Sequence, residues 1–278
     1  MMKSRFSGNI TIPTSANDVR QGNGTPVVMI HGLAASLHDW DDLIPELAAN
    51  GHACYALDLL GHGDSPKPVE RAYQMDWLLD HFFNWVESLH LSEPAIVIGH
   101  SLGGHVALEY ARRFSAVTRG LILVNPFYSP SQLPLFLRTT YRHTRLSSLA
   151  LHQVPEKLFR LLVDVSSMAM GHSVGALHSL PEKTRAQTAL DYKRTAPGVY
   201  HIPNVMLDLT PYLAEIDVPA LVVWGDRDQT LSPASFTQLV ETLPDARGEI
   251  LHAGHVPHQS HATEFNQIVL RFLGEIEG

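Results

Sequence analysis

The stretch Ala95-Ile96-Val97-Ile98-Gly99-His100-Ser101-Leu102-Gly103-Gly104 reads as a strand, a sharp corner occupied by a serine, and the first turn of a helix. Ala95 to Ile98 are continuously apolar, as in a strand buried on both faces. Val106, Tyr110, Ala111 and Phe114 then recur at helical spacing. A serine at such a corner sits in a strained backbone conformation, and Gly99, Gly103 and Gly104 let strand and helix approach without Cβ clashes. The helix start aims free N–H groups and its positive dipole end at any negative charge forming beside the serine. Ser101 is therefore the candidate nucleophile.

Working outward, similar apolar runs recur at Val27 to Ile30, Ala53 to Leu57, Leu121 to Val124 and Ala220 to Trp224, with a weaker one at Glu249 to His252. Helical spacing appears between several of them, for instance at Leu78, Phe82, Trp85 and Leu89. Alternating strands and helices predict an α/β fold whose mostly parallel central sheet is covered by helices on both faces. The rhythm breaks between Asn125 and Pro219, where helices are expected over Leu135 to Leu151, Glu156 to Met170 and Glu182 to Thr195, each just after a proline (Pro134, Pro155, Pro181). This is an inserted helical unit. Its large apolar side chains, among them Phe136, Leu137, Tyr141, Leu158, Phe159, Leu162, Met168 and Met170, are expected mainly to attach it to the core, with some lining a pocket.

The 278 residues carry 20 Lys+Arg against 28 Asp+Glu, a net charge of -8, which argues against nucleic-acid or anionic-membrane surfaces as partners. One cysteine, Cys54, excludes an intrachain disulfide and a cysteine-rich zinc site and fits a reducing, cytoplasmic setting. No run approaches the roughly 18 apolar residues of a membrane span, and residues 1–9 lack a signal-like apolar core, so a soluble, unprocessed protein is expected.

A serine hydroxyl needs a base to take its proton and a carboxylate to orient that base. Seventeen histidines leave composition unable to choose one. The G-x-S-x-G corner, His31-Gly32-Leu33 after the strand Val27 to Ile30, and the turn Asp58-Leu59-Leu60-Gly61-His62-Gly63-Asp64-Ser65 together resemble the α/β-hydrolase family over nearly the whole chain, in family order. The resemblance implies an α/β-hydrolase fold with a helical cap: residues 1–127 and 213–278 as the core, 128–212 as the cap. It implies His255, after the last strand and before a final helix at Glu264 to Ile276, as the base. In Gly225-Asp226-Arg227-Asp228 it implies Asp228 as the acid, with Asp226 pairing instead with a nearby backbone N–H or Arg227. The other family location for the acid is occupied by Asn125, which carries no charge. The backbone N–H groups of Leu33 and Leu102 are implied as the oxyanion hole, with neighbouring Ala34 as the alternative to Leu33, while His31 and the Asp58 to Ser65 turn are given structural roles. His252, His258 and His261 are expected to be ordinary polar residues, with no metal site and no cofactor.

A serine in this position sets the chain apart from similar dehalogenases and epoxide hydrolases, which use aspartate there. The resemblance thus implies a serine carboxylesterase acting on a small ester with an apolar acyl or alcohol group. Carbon–carbon bond hydrolysis of ring-cleavage products shares the triad, although those enzymes usually have tryptophan where this chain has Val256. Lactonase, thioesterase and perhydrolase chemistry, and a ligand-receptor role on the same fold, complete the alternatives.

Overall fold

In the computed structural model, residues 12–69, 72–142, 154–170 and 180–278 are described. Seven strands form one sheet: β1 (Asp18–Gln21), β2 (Thr25–Ile30), β3 (His52–Leu57), β4 (Ala95–His100), β5 (Thr118–Val124), β6 (Ala220–Gly225) and β7 (Ala246–Leu251). Their spatial order is β1-β3-β2-β4-β5-β6-β7. β1 is antiparallel to β3 and every other pair is parallel. β1 was not expected from the sequence: Asp-Val-Arg-Gln at a sheet edge has no buried run to announce it.

Nine α-helices are described: α1 (Ile44–Ala49), α2 (Met75–Ser88), α3 (Leu102–Arg113), α4 (Leu135–Arg142), α5 (Glu156–Met170), α6 (Glu182–Arg194), α7 (Pro233–Thr242), the short α8 (Pro257–Ser260) and α9 (Ala262–Glu277). Alternate residues of the central strands feed two cores. Val97 and Leu121 pack with α2, α3 and α7 on one face, whereas Ile96, Ile98 and Ile122 pack with α1 and α9 on the other. Each fully buried aliphatic side chain contributes about 1.5–3 kcal/mol, so the sheet is a rigid platform and its C-terminal edge a fixed place to mount a site.

The corner after β4 owes its geometry to small residues. Ser101 has φ 50° and ψ -113°, in the left-handed half of conformational space that a non-glycine residue enters at a cost. A Cβ on Gly103 would lie 2.2 Å from the Ile30 carbonyl oxygen, so only glycine lets α3 start this close to β2. Gly103→Ala should therefore cost about 3 kcal/mol, seen as a fall of roughly 10 °C in melting temperature by circular dichroism.

The insertion between β5 and β6 contains α4, α5 and α6, each starting just after its proline as expected; the rest of the first expected helix lies outside the described residues. α5 and α6 are joined by Arg185 Nε to Asp164 Oδ1 at 2.7 Å and by the Phe159 and Tyr192 rings, centroids 5.5 Å apart. Phe159 is buried, but against α6 within the insertion, whereas Leu137 packs against the core as expected and lines the site. The expectation of core attachment fails for Phe136, Leu158, Leu162 and Met168, which are exposed. No described helix is long and apolar enough to cross a membrane.

Candidate active site

Three loops at the C-terminal edge of the sheet bring three distant residues together. Ser101 follows β4, Asp228 follows β6 and His255 follows β7, the edge where open α/β sheets bind ligands. Ser101 Oγ lies 3.0 Å from His255 Nε2, and His255 Nδ1 lies 2.7 Å from Asp228 Oδ2. Ser101 makes no capping bond to α3, so its hydroxyl is committed to the imidazole and not to the helix.

Asp228 is held by more than His255. Its Oδ1 accepts the N–H groups of Thr230 (2.7 Å) and Leu231 (3.1 Å), and its Oδ2 also accepts from Asn125 Nδ2 at 2.7 Å. Burial alone would raise the Asp228 carboxyl, but the facing His255 and these donors bring it below its ordinary value, so it stays ionised. Asn125 carries no charge and so cannot be the acid. It works instead as a donor that helps keep the charge of Asp228 in place, with its own backbone at φ 40°. Asp226 does not take the expected partner: its carboxylate meets His252 Nδ1 at 2.8 Å, with both side chains exposed.

Leu33 and Leu102 flank the serine, and among the described residues neither backbone N–H meets an acceptor. Their neighbourhood is stiff. His31, fully buried, accepts the Leu59 N–H at Nε2 (2.9 Å) and donates to the Gly32 carbonyl from Nδ1 (2.7 Å); burial lowers its basicity and keeps it neutral. Asp58 receives the Leu37 N–H (2.8 Å), the Asp64 N–H (2.8 Å) and the Asn17 side-chain amide (2.8 Å), which makes the turn after β3 a structural knot. Cys54 is buried and its thiol is pushed up to about 12, so it offers no rival nucleophile.

Above Ser101 lies a cavity of about 330 Å³ between the sheet edge and the insertion. Its wall combines apolar side chains, Leu33, Phe127, Leu133, Leu137, Leu231 and Val256, with the charged Asp41, Asp42 and Lys183 and with Asp191. Asp191 ties the insertion to the loop after β2, accepting from Ser36 Oγ and Gln187 Nε2 at 2.8 Å each. Burial pushes its carboxyl up from 3.8 to about 7, only partly opposed by those donors. The folded state therefore holds this proton more tightly than the unfolded chain, and stability should fall as pH rises from about 4 to about 7 and then level off. Asp191→Asn removes the ionisation, so thermal melts at pH 5 and pH 8 should show the variant's melting temperature relative to wild type rising by several degrees between the two pH values.

His258, treated from the sequence as an ordinary polar residue, is buried against His100, ring centroids 4.5 Å apart, and near Asp39. Asp39, His100 and His258 place one ligand-type atom each within 4.8 Å of one another. Their wide separation in the chain hid this cluster from any reading of local spacing.

A family profile described as alpha/beta hydrolase fold matches residues 25–262. The pimeloyl-[acyl-carrier protein] methyl ester esterase of Neisseria meningitidis serogroup B is 30% identical over 274 residues, covering 89% of this chain and 92% of that protein. The 2-hydroxy-6-oxo-6-(2'-aminophenyl)hexa-2,4-dienoic acid hydrolase of Metapseudomonas resinovorans is 23% identical over 91% of this chain and 85% of its own. Among solved structures, a thermophilic esterase from Thermogutta terrifontis superposes with TM-score 0.76 at 20% identity, covering 95% of this chain and 94% of the esterase, which is a likeness of fold.

Proposed function

The chain belongs to the α/β-hydrolase fold family, and we propose that within it the protein is a serine hydrolase that cleaves carboxylic esters through an acyl-enzyme, with residues 128–212 acting as a cap over the site. The observation that carries this reading is the continuous relay Ser101 Oγ, His255 Nε2, His255 Nδ1, Asp228 Oδ2 at the floor of an apolar cavity. Ser101 Oγ attacks the ester carbonyl carbon as its proton passes to His255 Nε2. The carbonyl π pair moves to oxygen, where the Leu33 and Leu102 N–H groups meet the new charge, each worth on the order of 3 kcal/mol in such holes. The intermediate collapses with cleavage of the C–O bond, and His255 gives its proton to the departing alcohol. Water, deprotonated by the same nitrogen, then attacks the acyl-serine, and the acid is freed as the bond to Ser101 Oγ breaks and Oγ takes that proton back from His255. Asp228 holds the imidazole with Nδ1–H directed at itself and balances its charge during each transfer.

The wall chemistry narrows the substrate. The apolar side chains in the cavity wall favour an apolar acyl group. Among the ionisable groups of the wall, Asp41 and Asp42 accompany a single lysine, Lys183, which Asp41 already engages at 2.8 Å, and Asp191 supplies no positive charge in either protonation state. A substrate carboxylate would find no free cation among these described residues. Neutral esters should therefore exceed otherwise matched esters bearing a carboxylate near the scissile bond by at least tenfold in kcat/KM; equal rates would refute the charge argument. Steady-state release of p-nitrophenol from esters of increasing acyl length, together with covalent labelling by a fluorophosphonate, tests the overall reading. Sustained turnover supports it, and labelling without turnover on any ester would overturn it.

A further inference from the structure

Asp39 takes no part in the steps above, yet it touches the loop of the Leu33 amide, the residue before the nucleophile and the short helix that follows His255. It is buried in the helical turn Leu37–Trp40 after β2. Its Oδ2 accepts the Gly32 N–H at 3.2 Å, one peptide before the Leu33 amide. Its Oδ1 accepts from Gln259 Nε2 on α8 at 3.1 Å. Oδ2 also lies 3.2 Å from Nδ1 of His100, the residue preceding the nucleophile.

The other nitrogen of His100, Nε2, lies 3.0 Å from the backbone carbonyl oxygen of His255. A carbonyl oxygen only accepts, so Nε2 must bear a hydrogen. An ionised carboxylate also only accepts, so Nδ1 must bear one too. Both oxygens of Asp39 already accept N–H donors, Oδ2 from Gly32 and Oδ1 from Gln259, an arrangement that favours the ionised carboxylate, and although burial opposes it, the carboxyl lies below the usual carboxylate range. The groups facing His100 are Asp39, the rings of His255 (centroids 5.1 Å) and His258 (4.5 Å), and His31 behind them. Burial and then His100 itself drive His258 well below its ordinary value, so no second cation shares the cluster.

We propose that His100 is an imidazolium paired with the Asp39 carboxylate, and that this buried ion pair is a positioning device setting the spacing between the oxyanion amides and the catalytic imidazole. The Asp39 end orients the Gly32 peptide and, through it, the Leu33 N–H. The His100 end holds the carbonyl of His255 and therefore the loop carrying its ring. Asp39 and His100 are positioning residues here, and neither touches the reacting atoms. The kinetic part of the idea rests on the ester-cleaving reading, whereas the charge state does not.

Ring nitrogen-15 spectra of histidine-labelled, chelator-treated protein read the charge state directly. At pH 8, where a free imidazole has lost its second proton, wild type should show one ring protonated on both nitrogens, and this signal should vanish in His100→Gln. Asp39→Asn should strip one of those protons and slow fluorophosphonate labelling of Ser101 by about 10- to 100-fold, the scale of a misplaced catalytic group. The loss should fall on kcat more than on KM, with cooperative unfolding retained. A singly protonated His100 in wild type at pH 8, a signal that changes on chelation, or Asp39→Asn labelling within twofold of wild type would each overturn the proposal. If Asp39→Asn does not fold, the wild-type spectrum still decides the charge, and His100→Gln, which keeps a donor for the His255 carbonyl but no charge, carries the kinetic comparison. A doubly protonated ring in a wild type that neither labels nor turns over any ester would overturn the ester reading alone.

Discussion

Ser101→Ala is expected to lower ester turnover by 10⁴-fold or more and to abolish fluorophosphonate labelling, while leaving the fold and the affinity for a product acid intact. The size follows from what the side chain does: without Oγ there is no acyl-enzyme, and the residue of catalysis is whatever the amides and the cavity give to a direct attack by water. In serine hydrolases generally, losing the nucleophile costs as much as losing the whole triad, because the three groups act as one unit. His255→Ala should match it closely for the same reason. The alanine also tests the corner itself. Its methyl must adopt the φ of 50° that Ser101 holds, and since serine already bears a Cβ there, the melting temperature should stay within a few degrees of wild type. A variant that keeps more than one part in a hundred of wild-type turnover would place the nucleophile elsewhere.

The fold was legible because the central strands are buried on both faces and so carry unbroken apolar runs, and because Gly99 to Gly104 can pack as they do only at a tight strand-to-helix corner. The sheet edges were less legible. β1 has two of its four residues exposed, and β7 alternates so weakly that only its end, from Glu249, stood out from the sequence. Side-chain direction within the insertion was harder still. Apolar content on α5 says nothing about which face packs on α6, and Leu158 and Leu162 are exposed while Phe159 is buried against Tyr192. At the site, Ser101, His255 and Asp228 each sit just beyond a strand end, a position that local pattern can mark. Asn125 and the Asp39–His100–His258 cluster have no such signal. Their roles arise only when loops from β2, β4, β5 and β7 converge, and nothing in the spacing of Asp39 from His258 encodes that convergence.

The second large effect is expected at Asp228, and it separates the two aspartates that follow β6. Asp228→Asn keeps the shape of the side chain and can retain acceptance from Thr230 and Leu231 through its oxygen. Its amide group then faces both Asn125 Nδ2 and His255 Nδ1, where Oδ2 accepted two donors before. The imidazole responds by moving its hydrogen to Nε2, which removes the lone pair that must receive the Ser101 proton. Catalysis should fall by about 10⁴-fold, the cost of the wrong tautomer in a comparable triad. Asn125→Ala removes one donor and leaves Asp228 charged, so a loss of roughly tenfold is expected, about the worth of one hydrogen bond to a charged group. Asp226→Ala breaks only an exposed contact with His252, and its activity should stay within about threefold of wild type. Measuring kcat/KM for the three variants on one neutral ester orders them. If Asp226→Ala proved the most damaging, the carboxylate that serves His255 during turnover would have to be Asp226, and the 2.7 Å contact between His255 and Asp228 would belong to a resting arrangement that the reaction abandons.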